Sequence, residues 1–122
     1  MTAALGRRTF RCACALVLFL SAVSAQAMSI RELRTLEVNE KNGKLYANYY
    51  LVGVMEGLRE AADATARDGL RPPFCVQGRR FEPAMARGLY QGELARNAET
   101  YEADMPVQLV LSAALRTGFR CT

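Results

Sequence analysis

The first 27 residues set the limits on everything that follows. Arg7, Arg8 and Arg11 make a basic start, Cys12 to Leu20 is an unbroken apolar run, and Ala25-Gln26-Ala27 has the A-x-A form of a signal-peptidase site. The apolar run is shorter than the roughly 20 residues that a membrane-spanning helix requires. The reading is a cleaved leader over 1–27 and one folded domain over 28–122, exported to the periplasm and not membrane-bound after cleavage. Cleavage changes the chain's charge. The full sequence carries +4, but three arginines leave with the leader. The remaining 13 basic groups face 12 acidic ones, with no Lys/Arg stripe, so nucleic acid is a poor partner.

The leader also takes Cys12 and Cys14 and leaves Cys75 and Cys121. Two cysteines in an exported chain pair most simply with each other. On the chain-entropy model, a bridge closing such a loop is worth about 4 kcal/mol. That matters in a domain of this size, which buries only roughly two thirds of its unfolded surface. The sequence has no His and no Trp. His-based triads and His-ligated metals are therefore excluded. No nucleophile–base pairing and no phosphate loop stand out. The expectation is a protein without catalytic activity, metal or cofactor.

Helical signals run through the rest of the chain, and no period-two alternation is long enough for a strand. Ser29 to Val38 is predicted as a first helix, with Ser29 and Glu32 as a capping box and Ile30, Leu33 and Leu36 on one face. Asn39 to Lys44 is a polar turn. Leu45 to Ala66 is the longest predicted helix. Its first half is apolar nearly all round, the mark of a buried helix, and Arg59, Glu60, Asp63 and Arg67 are expected to face water. Gly53, Gly57 and Ala61 form a smooth stripe where another helix is expected to pack. Gly69 is a left-handed stop. Residues 69–80 are an irregular segment, with Pro72-Pro73 presenting Phe74 and Cys75, bracketed by Arg71, Arg79 and Arg80.

Phe81 to Arg96 is predicted as a third helix, with Phe81, Met85, Leu89 and Gly92 on its face and Pro83 in its first turn. Asp104 is expected to cap a last helix that bears Val107, Val110, Leu111, Ala114, Leu115 and Gly118 on one stripe. The predicted fold is all-α: a small bundle of about four helices with one Cys75–Cys121 disulfide, preceded by a signal peptide.

Three pieces taken together resemble a known family. They are Tyr50-Leu51-Val52-Gly53-Val54 with Gly57; Phe74-Cys75; and Val107-x-Leu109-Val110-x-x-x-Ala114-Leu115-x-x-x-Phe119-x-Cys121. Their order and spacing resemble the Rap/Tai family of exported immunity proteins, over roughly Leu45 to Cys121. Many relatives carry a second cysteine pair, and Ala47 stands at one of its places here. The resemblance implies a periplasmic helical protein, often a homodimer. Its implied partner is a peptidoglycan-amidase toxin delivered by type VI secretion, bound by occluding the cleft. A small periplasmic helical chaperone is the alternative. For partner binding, composition and position favour Arg79, Arg80 and Tyr101, residue types enriched at interface hot spots.

Overall fold

The computed structural model describes residues 27–122, so the leader assigned to 1–27 lies, apart from Ala27, outside the described residues. Four packed helices follow: α1 (Ile30–Asn39), α2 (Gly43–Arg67), α3 (Pro83–Arg96) and α4 (Val107–Gly118), with a short 3₁₀ turn at Ala98–Thr100. The fold is all-α, as expected. α2 is the spine, packing against α1, α3 and α4.

α1 begins where Ser29 accepts the Glu32 amide at 3.2 Å and Glu32 accepts the Ser29 amide at 2.7 Å, the reciprocal cap read from the sequence. Ile30 and Leu33 are buried beneath it. The amides of Ile30 and Arg31 donate to the carbonyls of Met105 and Ala103, and the Val107 amide donates to Met28. An isolated antiparallel bridge, Ser29 to Pro106, joins the two helix starts. Each start thus satisfies groups that a helix N-terminus leaves unpaired. Asp104 does not cap α4. Pro106 occupies that position, and the Asp104 carboxylate takes the Arg31 guanidinium at 2.9 Å.

The expectation that α2 is buried all round is corrected. Its inward face is Ala47, Leu51, Met55 and Ala62, with Gly43 buried at its start. Leu45, Tyr46 and Tyr49 are more than half exposed. Gly53, Gly57 and Ala61 are exposed too, and no helix of the protomer packs on them. The apolar residues outnumber what one inward face can cover, and the helices on three sides of α2 leave the fourth side open. A different glycine does make a close approach. A Cβ at Gly43 would stand 2.0 Å from the Leu36 carbonyl oxygen and 2.9 Å from Glu37 Cα. The α1–α2 turn closes only because that atom is missing.

The buried face of α3 is Ala86, Tyr90 and Glu93, spaced i, i+4, i+7. Met85 and Leu89 lie on its flank, half-buried, and Phe81 precedes the helix. Arg87 ties three helices together, donating to Glu37 of α1 and, at 3.0 Å, to Asn48 of α2. Val107, Val110, Leu111, Ala114 and Leu115 of α4 are all buried, as the periodicity predicts, while Gly118 is exposed at the helix end.

Gly43→Ala is expected to cost about 1–3 kcal/mol, because backbone atoms of α1 must move to admit the methyl. Urea unfolding followed by circular dichroism measures it. An unchanged midpoint would contradict the close approach.

Candidate partner-binding surface

Between α2 and α3 the chain crosses the body without a helix of its own. Gly69, at φ +76°, ends α2, with its amide on Ala66 and the Leu70 amide on Thr65. Pro72-Pro73 then holds the path extended. Phe74, Val76 and Phe81 turn inward and are buried. The Cys75 amide donates to the Phe119 carbonyl at 2.8 Å, and the Cys75 sulfur is bonded to Cys121, with the two Cα atoms 5.0 Å apart. The disulfide read from the cysteine count is present.

Phe81 meets the edge of Phe119, ring centres 6.2 Å apart. Over the Phe81 ring lies the Arg59 guanidinium, 4.5 Å from its centre. Arg59 also pairs with Glu56 and donates to the Arg79 carbonyl. Expected in water, this arginine is instead a roof over the ring, with its side chain only 21% exposed. Its long stem lies along apolar surface while its head finds acceptors.

At the tip of the crossing segment the backbone makes a tight turn. The Arg79 amide closes onto the Val76 carbonyl at 3.3 Å. The two central residues, Gln77 and Gly78, have φ +51° and +71°. Positive φ at both central positions is the pattern of a type I′ turn, which favours Asn-Gly or Gly-Gly. Glutamine pays a steric cost there, of about 1–2 kcal/mol for a β-carbon in the left-handed region. The turn displays Arg79 and Arg80, both exposed. A groove of about 410 Å³ runs beside it between Gln77-Arg79 and Phe119-Arg120. Among the described residues no ion pair engages Arg71, Arg79 or Arg120, and Arg80 has only a 3.8 Å contact to Glu82 with both side chains largely in water. This end of an otherwise near-neutral domain is basic. Gln77 and Arg120 are members of the surface that residue type alone did not mark. Pairing Cys75 with Cys121 was enough to bring Arg120 to it.

Tyr101 is placed differently from Arg79 and Arg80. Its ring is half-buried, and its hydroxyl donates to Glu93 at 2.7 Å. Glu93 is 3% exposed and also accepts from Asn97 at 2.9 Å. Burial, and then the bond to the Glu93 carboxylate, push the Tyr101 phenol up to about 12. The hydroxyl is committed inward, so only the ring edge is left to a partner. Among the described residues no group of His, Cys, Asp and Glu is arranged to hold a metal ion, and no helix is long and apolar enough to cross a membrane.

A phenol raised on folding stabilises the fold below its ordinary value near 10, and that contribution disappears as pH climbs to about 12. Stability of the native chain should therefore fall more steeply over that window than stability of Tyr101→Phe. At neutral pH the same variant should lose about 1–3 kcal/mol, since it strips a donor from a buried carboxylate. Parallel pH–stability curves would contradict the inward bond. The turn makes a second prediction, of opposite sign. Gln77→Gly should stabilise by up to about 1 kcal/mol by relieving the positive φ, read from thermal melts. Comparison of the chain with family models, curated proteins and solved structures finds no match.

Proposed function

We propose that this chain is an inhibitory binding protein of the periplasm, an immunity protein that seats its basic turn in the cleft of a secreted peptidoglycan amidase and blocks access to it. The observation that carries the reading is the Gln77-Gly78 turn. A strained residue sits at its tip, two exposed arginines follow it, and a disulfide and three buried side chains hold it. Strain retained at an exposed tip points to a job for that side chain outside the fold. A loop fixed before binding loses little conformational entropy on docking. Arg79, held only loosely over the Phe119 ring, and Arg80, with its long contact to Glu82, can form bidentate contacts with carboxylates lining a cleft. The family resemblance supplies the class of partner: a toxin delivered by type VI secretion that cuts the peptide stems of the cell wall. The protein itself then performs no chemistry.

The test is whether an adjacent reading frame encodes a secreted amidase, followed by inhibition and binding assays with that enzyme. The wild type should protect peptidoglycan stoichiometrically. The Arg79→Glu, Arg80→Glu double variant should bind more than tenfold more weakly while its melting temperature falls by only a few degrees, since Arg79 makes one long contact over the Phe119 ring and Arg80 one exposed contact to Glu82. Undiminished affinity of the double variant would remove the basic turn from the interface. A wild type that neither binds nor protects would end the immunity reading.

A further inference from the structure

Arg87 sits in a polar cluster where α1, α2 and α3 meet. Its guanidinium donates to Glu37 of α1 and, at 3.0 Å, to the side-chain oxygen of Asn48 of α2. Tyr90 follows Arg87 by three residues on α3, so the two side chains are neighbours on the helix surface. Tyr90 is 6% exposed, and among the described residues its hydroxyl is a buried polar atom with no hydrogen-bond partner. Buried polar groups are nearly always paired, and one that is not calls for a physical account.

Arg34 lies one turn before Glu37 on α1. It is exposed, and among the described residues no carboxylate pairs with it. Burial raises the Tyr90 phenol above its ordinary value. The charges of Arg34, Glu37 and Arg87 act on it next, with Arg34 the strongest of the three and directed downward. The hydroxyl therefore stands within the field of this cluster. Glu37, its carboxylate, is already taken by Arg87. What remains is a buried hydroxyl and a guanidinium that can only donate.

We propose that Tyr90 and Arg34 together bind a single carboxylate group where α1 meets α3, one oxygen accepting the buried hydroxyl and the other the guanidinium. The charge balance selects a singly charged ligand. Arg87 and Glu37 offset each other, and Arg34 leaves one positive charge over. The planar fork of a guanidinium matches a carboxylate. Arg87 is held by two acceptors, whereas exposed Arg34 has the freedom to close over the ligand. The site uses neither the basic turn nor the outer face of α2, and the inference is independent of the immunity reading.

The test is thermal unfolding of the oxidised chain as sodium acetate replaces sodium sulfate at constant ionic strength. General salt effects are common to the native chain and its variants, so the difference between them reports the site. At saturation the native chain should gain about 3 °C or more over Tyr90→Phe and over Arg34→Gln. In the same titration the Arg34 Nε–H resonance should shift and saturate in the native chain, and stay in place in Tyr90→Phe. Without acetate, Tyr90→Phe should melt no lower than the native chain, since the ring is kept and no hydrogen bond within the protein is lost. Repeating the titration with N-acetylglutamate amide separates two sources of the carboxylate. A gain with both compounds assigns an acidic side chain of a partner, and a gain with acetate alone assigns a free small acid. An acetate gain that is absent, or that survives either substitution, would overturn the proposal. So would a Tyr90→Phe chain that melts lower without acetate, because a bound water would then already satisfy the hydroxyl.

Discussion

The Cys75–Cys121 bond governs how the whole chain closes. It joins the non-helical crossing segment to the residues after α4, across 46 positions of sequence. Without it, residues 68–82 would be a long connection with few backbone partners of its own, a poor investment in a domain with a small core. With it, the Cys75 amide reaches Phe119, and Phe74, Val76 and Phe81 enter the core as one unit. Phe81 and Phe119 then meet, and Arg59 is drawn over them from α2. One covalent link thus organises an aromatic pair, a cation above it and the turn beyond. On the entropy model it restricts the unfolded chain by about 4 kcal/mol. Its structural role is the larger one here, because it turns a loop into a surface of fixed shape.

The opposite end closes without covalent help. There the chain before α1 and the chain before α4 exchange backbone hydrogen bonds, so two helix N-termini satisfy each other. The Met28 amide also reaches the Tyr50 hydroxyl at 3.1 Å, which fastens the same strap to α2. The exposed Arg31–Asp104 pair adds little energy in water. It lies across the junction of the two segments, where its geometry supports their register. At the far end of α1 the missing Cβ of Gly43 lets the chain reverse directly into α2. α1 is therefore fixed at both ends by close backbone approach, and its two fully buried side chains, Ile30 and Leu33, are enough to seat it.

What the sequence made legible were features encoded within a few residues of one another. The Ser29–Glu32 cap, the Gly69 stop and the α4 stripe are local patterns, and the structure bears them out. The disulfide followed from counting. What stayed hidden depended on distant partners. Asp104 reads as a cap until Arg31, 73 residues away, is seen beside it. Arg59 reads as solvated until Phe81 is placed beneath it. α2 failed for another reason: with apolar residues around most of its circumference, its pattern names no inward side. Of the candidate site, Arg79 and Arg80 are displayed as their neighbours suggested, while Tyr101 spends its hydroxyl on Glu93. A tyrosine in a polar segment looks like a surface anchor, and nothing nearby in sequence announces a buried acid eight residues back.

The two surfaces left open by the fold differ in how they are made. The turn at Gln77-Gly78 is rigid by construction: covalently tethered, anchored by buried rings and held in a backbone conformation that glutamine resists. Arg79 lies loosely over the Phe119 ring and Arg80 has only a long contact to Glu82, so this end of the domain keeps a net positive charge facing water. The outer face of α2 is made differently: exposed Tyr46 and Tyr49 stand beside Gly53 and Gly57, where a Cβ would meet nothing within 4 Å. The first surface is shaped by a covalent tether and buried anchors, whereas the second is only what one inward face of α2 leaves uncovered, so the fold itself fixes the shape of the turn and leaves the α2 face without a matching element of its own.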